Sequence, residues 1–220
     1  MFLQGYLPQL LLGVVITIKV ALLALLFGLS LGLISAVAES SKIRFLRYLF
    51  GGWNALMRGL PELLILFFVY FGSSEVANRI FHYSHNVSAF AAGVIALGFI
   101  FAAYAAQTFR GAFLAISQGQ TEAAHAVGLS RWQTFYFIQL PQVWHHALPG
   151  LSNLWLVLLK DTALVSLIGL SDLMMRTQTA AVSAGRPFAF YVTASVLYLI
   201  LTSVSEVILK CFSVRANQHL

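Results

Sequence analysis

The chain has 220 residues, of which 60% are hydrophobic and only 9% are charged. Soluble domains are about 45–50% apolar and carry about 25% charged residues, so this composition excludes a water-soluble globule. It also excludes a disordered chain, and a single cysteine, Cys211, excludes a disulfide scaffold. The formal net charge of +6 indicates either a nucleic-acid partner or basic residues at the cytoplasmic ends of membrane helices.

Runs of about 20 mostly apolar residues are long enough to cross a bilayer as helices. The sequence has five such runs, so we predict an all-α integral membrane protein with about five transmembrane helices in a single domain, residues 1–220. Pro61 is expected to break or kink the second span near its start. The predicted spans are 10–38, 53–72, 88–109, 147–170 and 188–212.

Gly28, Ser30 and Gly32 in the first span match the G-x-S-x-G pattern of a hydrolase nucleophile elbow. That motif requires a strand–turn–helix context, whereas these residues lie in the middle of an apolar run. We therefore predict that the two glycines form a close helix-packing face and that the chain has no catalytic site. No metal site is predicted either, because His82 and His85 lack a carboxylate or cysteine at ligand spacing. His145 and His146 are expected at a membrane boundary.

The distribution of cations between the loops indicates the orientation of a membrane protein. With the N-terminus outside and the C-terminus in the cytoplasm, eight Lys and Arg residues fall in cytoplasmic segments and three in outer segments, which favours this orientation. The positive charge is then a topology signal, and no nucleic-acid partner is expected. The cytoplasmic residues are Lys42, Arg44, Arg47, Arg58, Arg110, Arg131, Lys210 and Arg215, and the outer residues are Arg79, Arg176 and Arg186.

The segment 110–146, between the third and fourth spans, contains no credible span and is expected in the cytoplasm. Two short amphipathic pieces meet at Gly128, a residue type that favours a helix end. Pro141 is expected to mark the break before the fourth span. Such a helical pair is typical of a docking surface, or of an amphipathic loop at the membrane interface. The second piece carries an apolar stripe of Trp132, Phe135, Tyr136 and Ile138.

This segment also has a fixed spacing: Glu122-Ala123-Ala124, three residues, Gly128, nine residues, then Ile138-Gln139-Leu140-Pro141. The spacing resembles the EAA signature of the permease subunits of bacterial ATP-binding-cassette (ABC) importers. The resemblance extends from about residue 10 to residue 215 and is to the polar amino-acid branch, most of all the arginine permeases and then the histidine/lysine/arginine/ornithine group. The further matching text is Arg58 to Ser74, Arg110-Gly111-Ala112, Gly119-Gln120, His146 to Gly150 and Leu159-Lys160-Asp161-Thr162.

The resemblance implies a type I ABC importer permease fold in the bacterial inner membrane. It implies assembly with two ATP-binding-cassette ATPase subunits, a second permease subunit (a homologue or an identical copy) and a periplasmic or extracellular amino-acid-binding protein. ATP and Mg are expected in the ATPase subunits, because none of the four lysines follows a glycine and a Walker loop is therefore impossible here. The ATPase-coupling residues that it implies are Glu122, Ala123, Ala124, Gly128, Leu140 and Pro141.

Ionisable residues within spans are costly to bury and are usually functional. Lys160 and Asp161 are adjacent, about 100° apart on a helix, so they cannot neutralise each other face to face. Asp161 is our candidate for binding a cationic substrate, with an internal salt bridge between helices as the alternative. Gln107 occupies a position where many relatives carry Glu. The candidate substrate path comprises Gln107, Asn153, Lys160, Asp161 and Thr162. The ionisable residues within spans are Lys19, Glu62, Lys160, Asp161 and Glu206.

Arg58 and Arg110, at the cytoplasmic ends of the second and third spans, are expected to reach lipid phosphates or to support a gate or the coupling segment. We therefore predict a permease subunit of an ATP-driven importer for amino acids, L-arginine or related basic amino acids. The alternatives are a permease for histidine, glutamine or another polar amino acid, a non-ABC membrane subunit, a proton-coupled transporter and an intramembrane enzyme. An enzyme requires paired catalytic groups within spans, and the sequence shows none.

Overall fold

The computed structural model describes residues 5–81 and 87–217, and within these ranges the chain is helical with no β-strand. Two π-helical turns and a 3₁₀ helix interrupt or extend the α-helices. The helices are α1 (Leu7–Glu39), α2 (Arg44–Gly59), α3 (Glu62–Phe67), a π turn (Phe68–Gly72), α4 (Ser73–Phe81), α5 (Ala89–Ala115), α6 (Gln118–Ala126), α7 (Arg131–Thr134), a second π turn (Phe135–Gln139), α8 (Leu140–Asp161), a 3₁₀ helix (Thr162–Ile168), α9 (Leu173–Ala184) and α10 (Pro187–Asn217).

Helices α1 and α5 pack closely along each other and run parallel. A Cβ atom added to Gly28 would lie 2.7 Å from Phe101, and one added to Gly32 would lie 2.9 Å from Ala105. Such distances are too short for real Cβ atoms, so only glycine allows this approach of the two backbones. The predicted glycine packing face is confirmed. Because α1 and α5 are parallel, the chain between them has to return across the bundle.

The predicted second span, 53–72, is not one continuous helix, because the chain turns by 111° between α2 and the helical segment Glu62–Val76. Leu60 is extended (φ −94°, ψ 146°), as the residue before a proline tends to be. Pro61 is followed by α3, in which the Leu64 and Ile65 amides donate to the Pro61 carbonyl. Pro61 therefore separates two helices that meet nearly at a right angle, and α2 lies across the bundle rather than along it.

The expected break at Pro141 is absent, since a helical run of 38 residues continues from Arg131 to Ile168. A proline lacks the N–H that would bond to the carbonyl four residues earlier, here that of Phe137. Phe137 belongs to the π turn Phe135–Gln139, which changes the hydrogen-bond spacing at this point. We attribute the continuity of the helix to this turn, so that the fourth span and the segment before it form one rod.

The remaining contacts define two ends of the bundle. A Cβ atom on Gly150 of α8 would touch Thr108, whereas Gly93 lies against Val165, so α8 runs antiparallel to α5. We call the end of the bundle at which α1 and α5 finish the Glu39 end, and the opposite end the Asp172 end. In the described ranges four helices are long and apolar enough to span a membrane, or five if α2 and the segment after it count as one broken span.

Candidate coupling surface and substrate path

The segment between α5 and α8 forms a compact helical hairpin, residues 118–141. Gly128 adopts a left-handed conformation with φ +86°, which is strained for residues with a side chain. The amide of Leu129 donates to the Ala124 carbonyl at 3.0 Å, which closes the end of α6. Ser130 and Gln133 then form a reciprocal capping box that starts α7. Only the four residues 127–130 therefore separate the end of α6 from the start of α7.

The predicted coupling residues line this hairpin in two ways. Glu122, Ala123 and Gly128 are exposed, and nothing lies within 4 Å of a Cβ atom added to Gly128. Ala124 is 4% exposed and packs inward. Leu140 is half-buried and Pro141 is exposed at the beginning of α8. The small side chains keep the outer surface of the hairpin low, so that a partner can approach its backbone.

The predicted apolar stripe on the second piece is divided by the π turn. Phe135 turns inward and stacks on Phe113, with 6.1 Å between ring centroids. Trp132, Tyr136 and Phe137 turn outward, with 73%, 56% and 69% of each residue exposed. Three large aromatic residues at the surface of one hairpin form an apolar patch of the kind that marks an interaction site.

Asp161 lies next to a second carboxylate. Glu62, at the start of α3, and Asp161, at the end of α8, line one narrow cavity against Tyr104 of α5. The cavity has a volume of about 20 Å³, which is far below the roughly 300 Å³ of a small-molecule site. The two acids form the acid pair of this bundle, and the described conformation is closed around it.

The other predicted path residues do not join the acid pair. Lys160 is exposed, and Thr162 is buried and donates to the Leu159 carbonyl at 2.7 Å. Asn153 faces a different cavity of about 490 Å³ between α8 and α10, towards the Glu39 end. Lys160 and Asp161 are adjacent in sequence but project from different sides of α8. The salt bridges among the described residues do not include this pair.

Gln107 belongs to a polar network at the Glu39 end. Arg58 donates to the Gln107 side chain, and Arg110 forms a 3.0 Å ion pair with Glu39. Asn54, which is 2% exposed, donates to Ser35 at 2.8 Å and to Glu39. The network therefore ties α2 to α1 and α5. The residues around its small cavity of about 130 Å³ are Glu39, Asn54, Arg58, Ala103, Gln107 and Arg110.

The Asp172 end has a buried carboxyl of its own. Asp172 is fully buried and caps α9, accepting from the Met175 amide at 2.9 Å. Burial raises the pKa of Asp172 to about 6, although hydrogen bonds from the Met174 and Met175 amides act in the opposite direction. The amide of Leu173, which directly follows Asp172, donates to the Thr17 hydroxyl of α1. This carboxyl therefore helps to fix α9 across α1.

Sequence reasoning overlooked Glu39, Asn54 and Asp172, and it recognised Glu62 only as an ionisable residue in a span. Glu39 and Arg110 are 71 positions apart, so no local pattern pairs them. Asp172 does carry a signal, because an acidic residue immediately before an apolar helical stretch is typical of an N-cap. The position of Glu62 next to Asp161 depends on the turn at Pro61, which the span assignment did not resolve.

The model of the family described as "Binding-protein-dependent transport system inner membrane component" matches residues 28–217. The chain belongs to this family. It is a multi-pass inner-membrane protein. The family predicted from the sequence is confirmed.

Curated relatives of this family member carry the names of amino-acid permeases. The arginine ABC transporter permease protein ArtQ of Haemophilus influenzae is 48% identical over 199 residues, covering 90% of this chain and 89% of the relative. ArtQ of Escherichia coli K12 is 42% identical over 219 residues, with 92% of each chain covered. The histidine/lysine/arginine/ornithine transport system permease protein HisQ of the same strain is 38% identical over 211 residues, covering 94% and 92%.

Solved structures confirm the predicted fold. A chain from the crystal structure of an amino acid ABC transporter with histidines superposes with a TM-score of 0.83 at 30% identity, covering 96% of this chain and 95% of the other. A chain of the inward-facing MetNI methionine ABC transporter superposes with a TM-score of 0.73 at 17% identity and the same coverage. The second likeness concerns the fold alone. The family member therefore has the type I ABC importer permease fold.

Proposed function

We propose that this chain is the permease subunit of an ATP-driven importer for arginine or related basic amino acids, with its Glu39 end in the cytoplasm. The eight cations predicted on the cytoplasmic side support this orientation. Among them, Arg58 and Arg110 belong to the polar network at the Glu39 end. The N-terminus is then outside and the C-terminus in the cytoplasm.

The observation that carries the proposal is the exposed hairpin 118–141 at the Glu39 end. A left-handed glycine with free space around it, beside the exposed Trp132 and Phe137, offers a partner both backbone access and apolar area. Its spacing matches the EAA signature residue by residue. We infer that Glu122, Ala123, Gly128 and Pro141 lie on the surface that docks into an ATPase subunit. The inward-packed Ala124 and the half-buried Leu140 support this surface from beneath.

The proposed partners supply the functions that this chain lacks, nucleotide binding first among them. The chain has no Gly-Lys dipeptide and so no Walker loop to hold a nucleotide phosphate. We assign ATP and Mg to two ATPase subunits, and substrate delivery to an external amino-acid-binding protein. A second permease subunit, a homologue or a copy of this chain, completes the pathway. ATP binding and hydrolysis in the partners then switch the chain between inward- and outward-facing states.

Substitution of Gly128 tests the coupling surface. Gly128→Asp introduces a charged side chain at an exposed left-handed position, and we expect the purified importer to lose its ATPase subunits or their stimulation by the binding protein. Gly185→Asp is the matched control, because Gly185 is also exposed and left-handed (φ +63°) but lies after α9. Normal ATPase association in Gly128→Asp, or equal loss in the control, would contradict the assignment.

The acid pair supports a cationic substrate. Two carboxylates that share one cavity repel each other, and a cation between them removes that repulsion. Arginine, lysine and ornithine present such a cation on the side chain, whereas glutamine does not. Uptake by proteoliposomes that contain the complete importer and its binding protein tests this class. Competition by arginine and lysine but not by glutamine is expected, and the reverse order would contradict the proposal.

A further inference from the structure

Helix α2 is a surface helix with two different exposed stripes. Trp53, Asn54 and Met57 face the bundle and are buried or half-buried. The apolar residues Phe45, Leu49 and Leu56 are 71%, 53% and 51% exposed, and their spacing of four and seven residues puts them on one face. Within the described part of the chain at least half of each of these residues is left exposed, so this apolar face requires an apolar environment.

The basic residues of α2 occupy another face. Arg44 and Arg47 are exposed, and at about 100° per residue they lie about 120° and about 180° around the helix axis from the centre of the apolar stripe. Lys42 is exposed immediately before the helix. The helix thus separates apolar and cationic side chains across its width, which is typical of a helix that lies in a membrane interface.

The position of α2 agrees with this pattern. Its last turn is tied to the Glu39 end of the bundle through Asn54 and Arg58, which is where the long spans α1 and α5 finish. Its axis turns by 111° relative to the helical segment that follows. A helix nearly perpendicular to the spans, at the depth where the spans end, lies in the plane of the bilayer surface.

We propose that α2 is an anionic-lipid-binding element in the cytoplasmic leaflet. Phe45, Leu49 and Leu56 enter the acyl region, while Lys42, Arg44 and Arg47 bind the phosphates of anionic headgroups. Since Asn54 and Arg58 join α2 to Glu39 and Gln107, occupation of the basic face supports the packing of α1 against α5. Transport by the assembled importer therefore depends on anionic lipid.

A lipid titration tests the basic face. The complete importer is reconstituted in nanodiscs of phosphatidylcholine with an increasing fraction of phosphatidylglycerol, and its ATPase activity with binding protein is measured. We expect activity to rise with phosphatidylglycerol at low salt and to lose that dependence in Arg44→Gln/Arg47→Gln. Arg44→Lys/Arg47→Lys keeps both charges and should keep the dependence. The proposal is overturned if wild-type ATPase activity does not change with the phosphatidylglycerol fraction. It is also overturned if Arg44→Gln/Arg47→Gln retains the wild-type dependence on phosphatidylglycerol.

A second measurement remains informative if the neutral variant assembles poorly. In a Cys211→Ser background, spin labels are placed separately at Leu49→Cys and Arg44→Cys, and their collision with oxygen and with a water-soluble nickel chelate is compared. We expect the label at residue 49 to be oxygen-accessible, as in lipid, and the label at residue 44 to collide more with the chelate. A label at residue 49 that is shielded from both reagents indicates a protein partner, and one open to the chelate indicates solvent; either result overturns the proposal.

Discussion

The acid pair and the polar network at the Glu39 end both lie against α5, but they differ in how their charges are partnered. In the network, Glu39 accepts from Arg110 and Asn54, and Arg58 donates to Gln107. In the acid pair, Glu62 and Asp161 share a cavity lined otherwise by Tyr104 and apolar side chains. Charges that are matched within the chain stabilise it, whereas like charges left together are poised for a ligand.

Removal of the acid pair should produce the largest functional effect. We expect Glu62→Gln/Asp161→Asn to raise the KM for arginine uptake by about 30-fold or more, since loss of a buried ionic partner costs about 2–5 kcal/mol of binding. Asp161→Asn alone should weaken uptake more than ATPase association. The thermal stability of the complex should stay level or rise, because a like-charge contact is removed.

Lys160→Gln is the control for this experiment, because Lys160 is adjacent to Asp161 in the chain but exposed. It should leave KM within about twofold of wild type if the acid pair alone faces the substrate. Equal effects of Lys160→Gln and Asp161→Asn would mean that the local charge balance, rather than the acid pair, controls uptake.

The network should show the converse behaviour, with an effect on stability rather than on selectivity. Glu39→Ala removes the acceptor of both Arg110 and Asn54, and we expect a loss of about 2 kcal/mol because the Glu39 side chain is only 11% exposed while Arg110 is 56% exposed. Unfolding of the purified complex measures this. Glu75→Ala, which breaks the exposed pair with Arg79, should cost less than about 0.5 kcal/mol.

The contrast between the clusters also separates what sequence reasoning could and could not predict. Apolar runs predicted membrane helices, and Gly28 and Gly32 predicted a packing face, because those features depend on residues close in the chain. Gln107 and Asp161 were expected in one path. They lie in different cavities because the tilt of α2 at Pro61 brings Arg58 to Gln107 and Glu62 to Asp161, a tertiary effect that no local pattern encodes.

The continuity of α8 has the same kind of origin. Pro141 is a correct local signal for a disturbed hydrogen-bond ladder, and a disturbance is present as the π turn Phe135–Gln139. Whether a proline ends a helix or widens one turn depends on packing around it. Here Phe135 stacks on Phe113 of α5, which holds the turn against the bundle.

Asp172 offers a third case, a carboxyl that is buried without a cation. Its pKa is raised from 3.8 to about 6, so between these values the folded chain retains a proton that the unfolded chain has lost. Stability should therefore fall as pH rises from about 4 to 6 and remain lower at pH 7. Asp172→Asn keeps the helix cap and should gain about 1–2 kcal/mol at pH 7 but nothing below pH 4.

Melting temperatures of the complex in nanodiscs between pH 4 and 8 check this dependence. Thr179→Ala, which removes an exposed hydroxyl from the same helix, serves as the control and should leave the pH profile unchanged. A profile of Asp172→Asn that is parallel to that of wild type would show that other groups cause the pH dependence.

Gln107→Glu should have the smallest effect and bears directly on the division between the two clusters. A carboxylate at residue 107 would face Arg58, which is exposed, so the new ion pair should add less than about 1 kcal/mol. The KM for arginine should not change, because Gln107 shares its cavity with Asn54 and Arg110 and not with Asp161. A severalfold lower KM in uptake assays would instead place residue 107 on the substrate path and join the two clusters into one site.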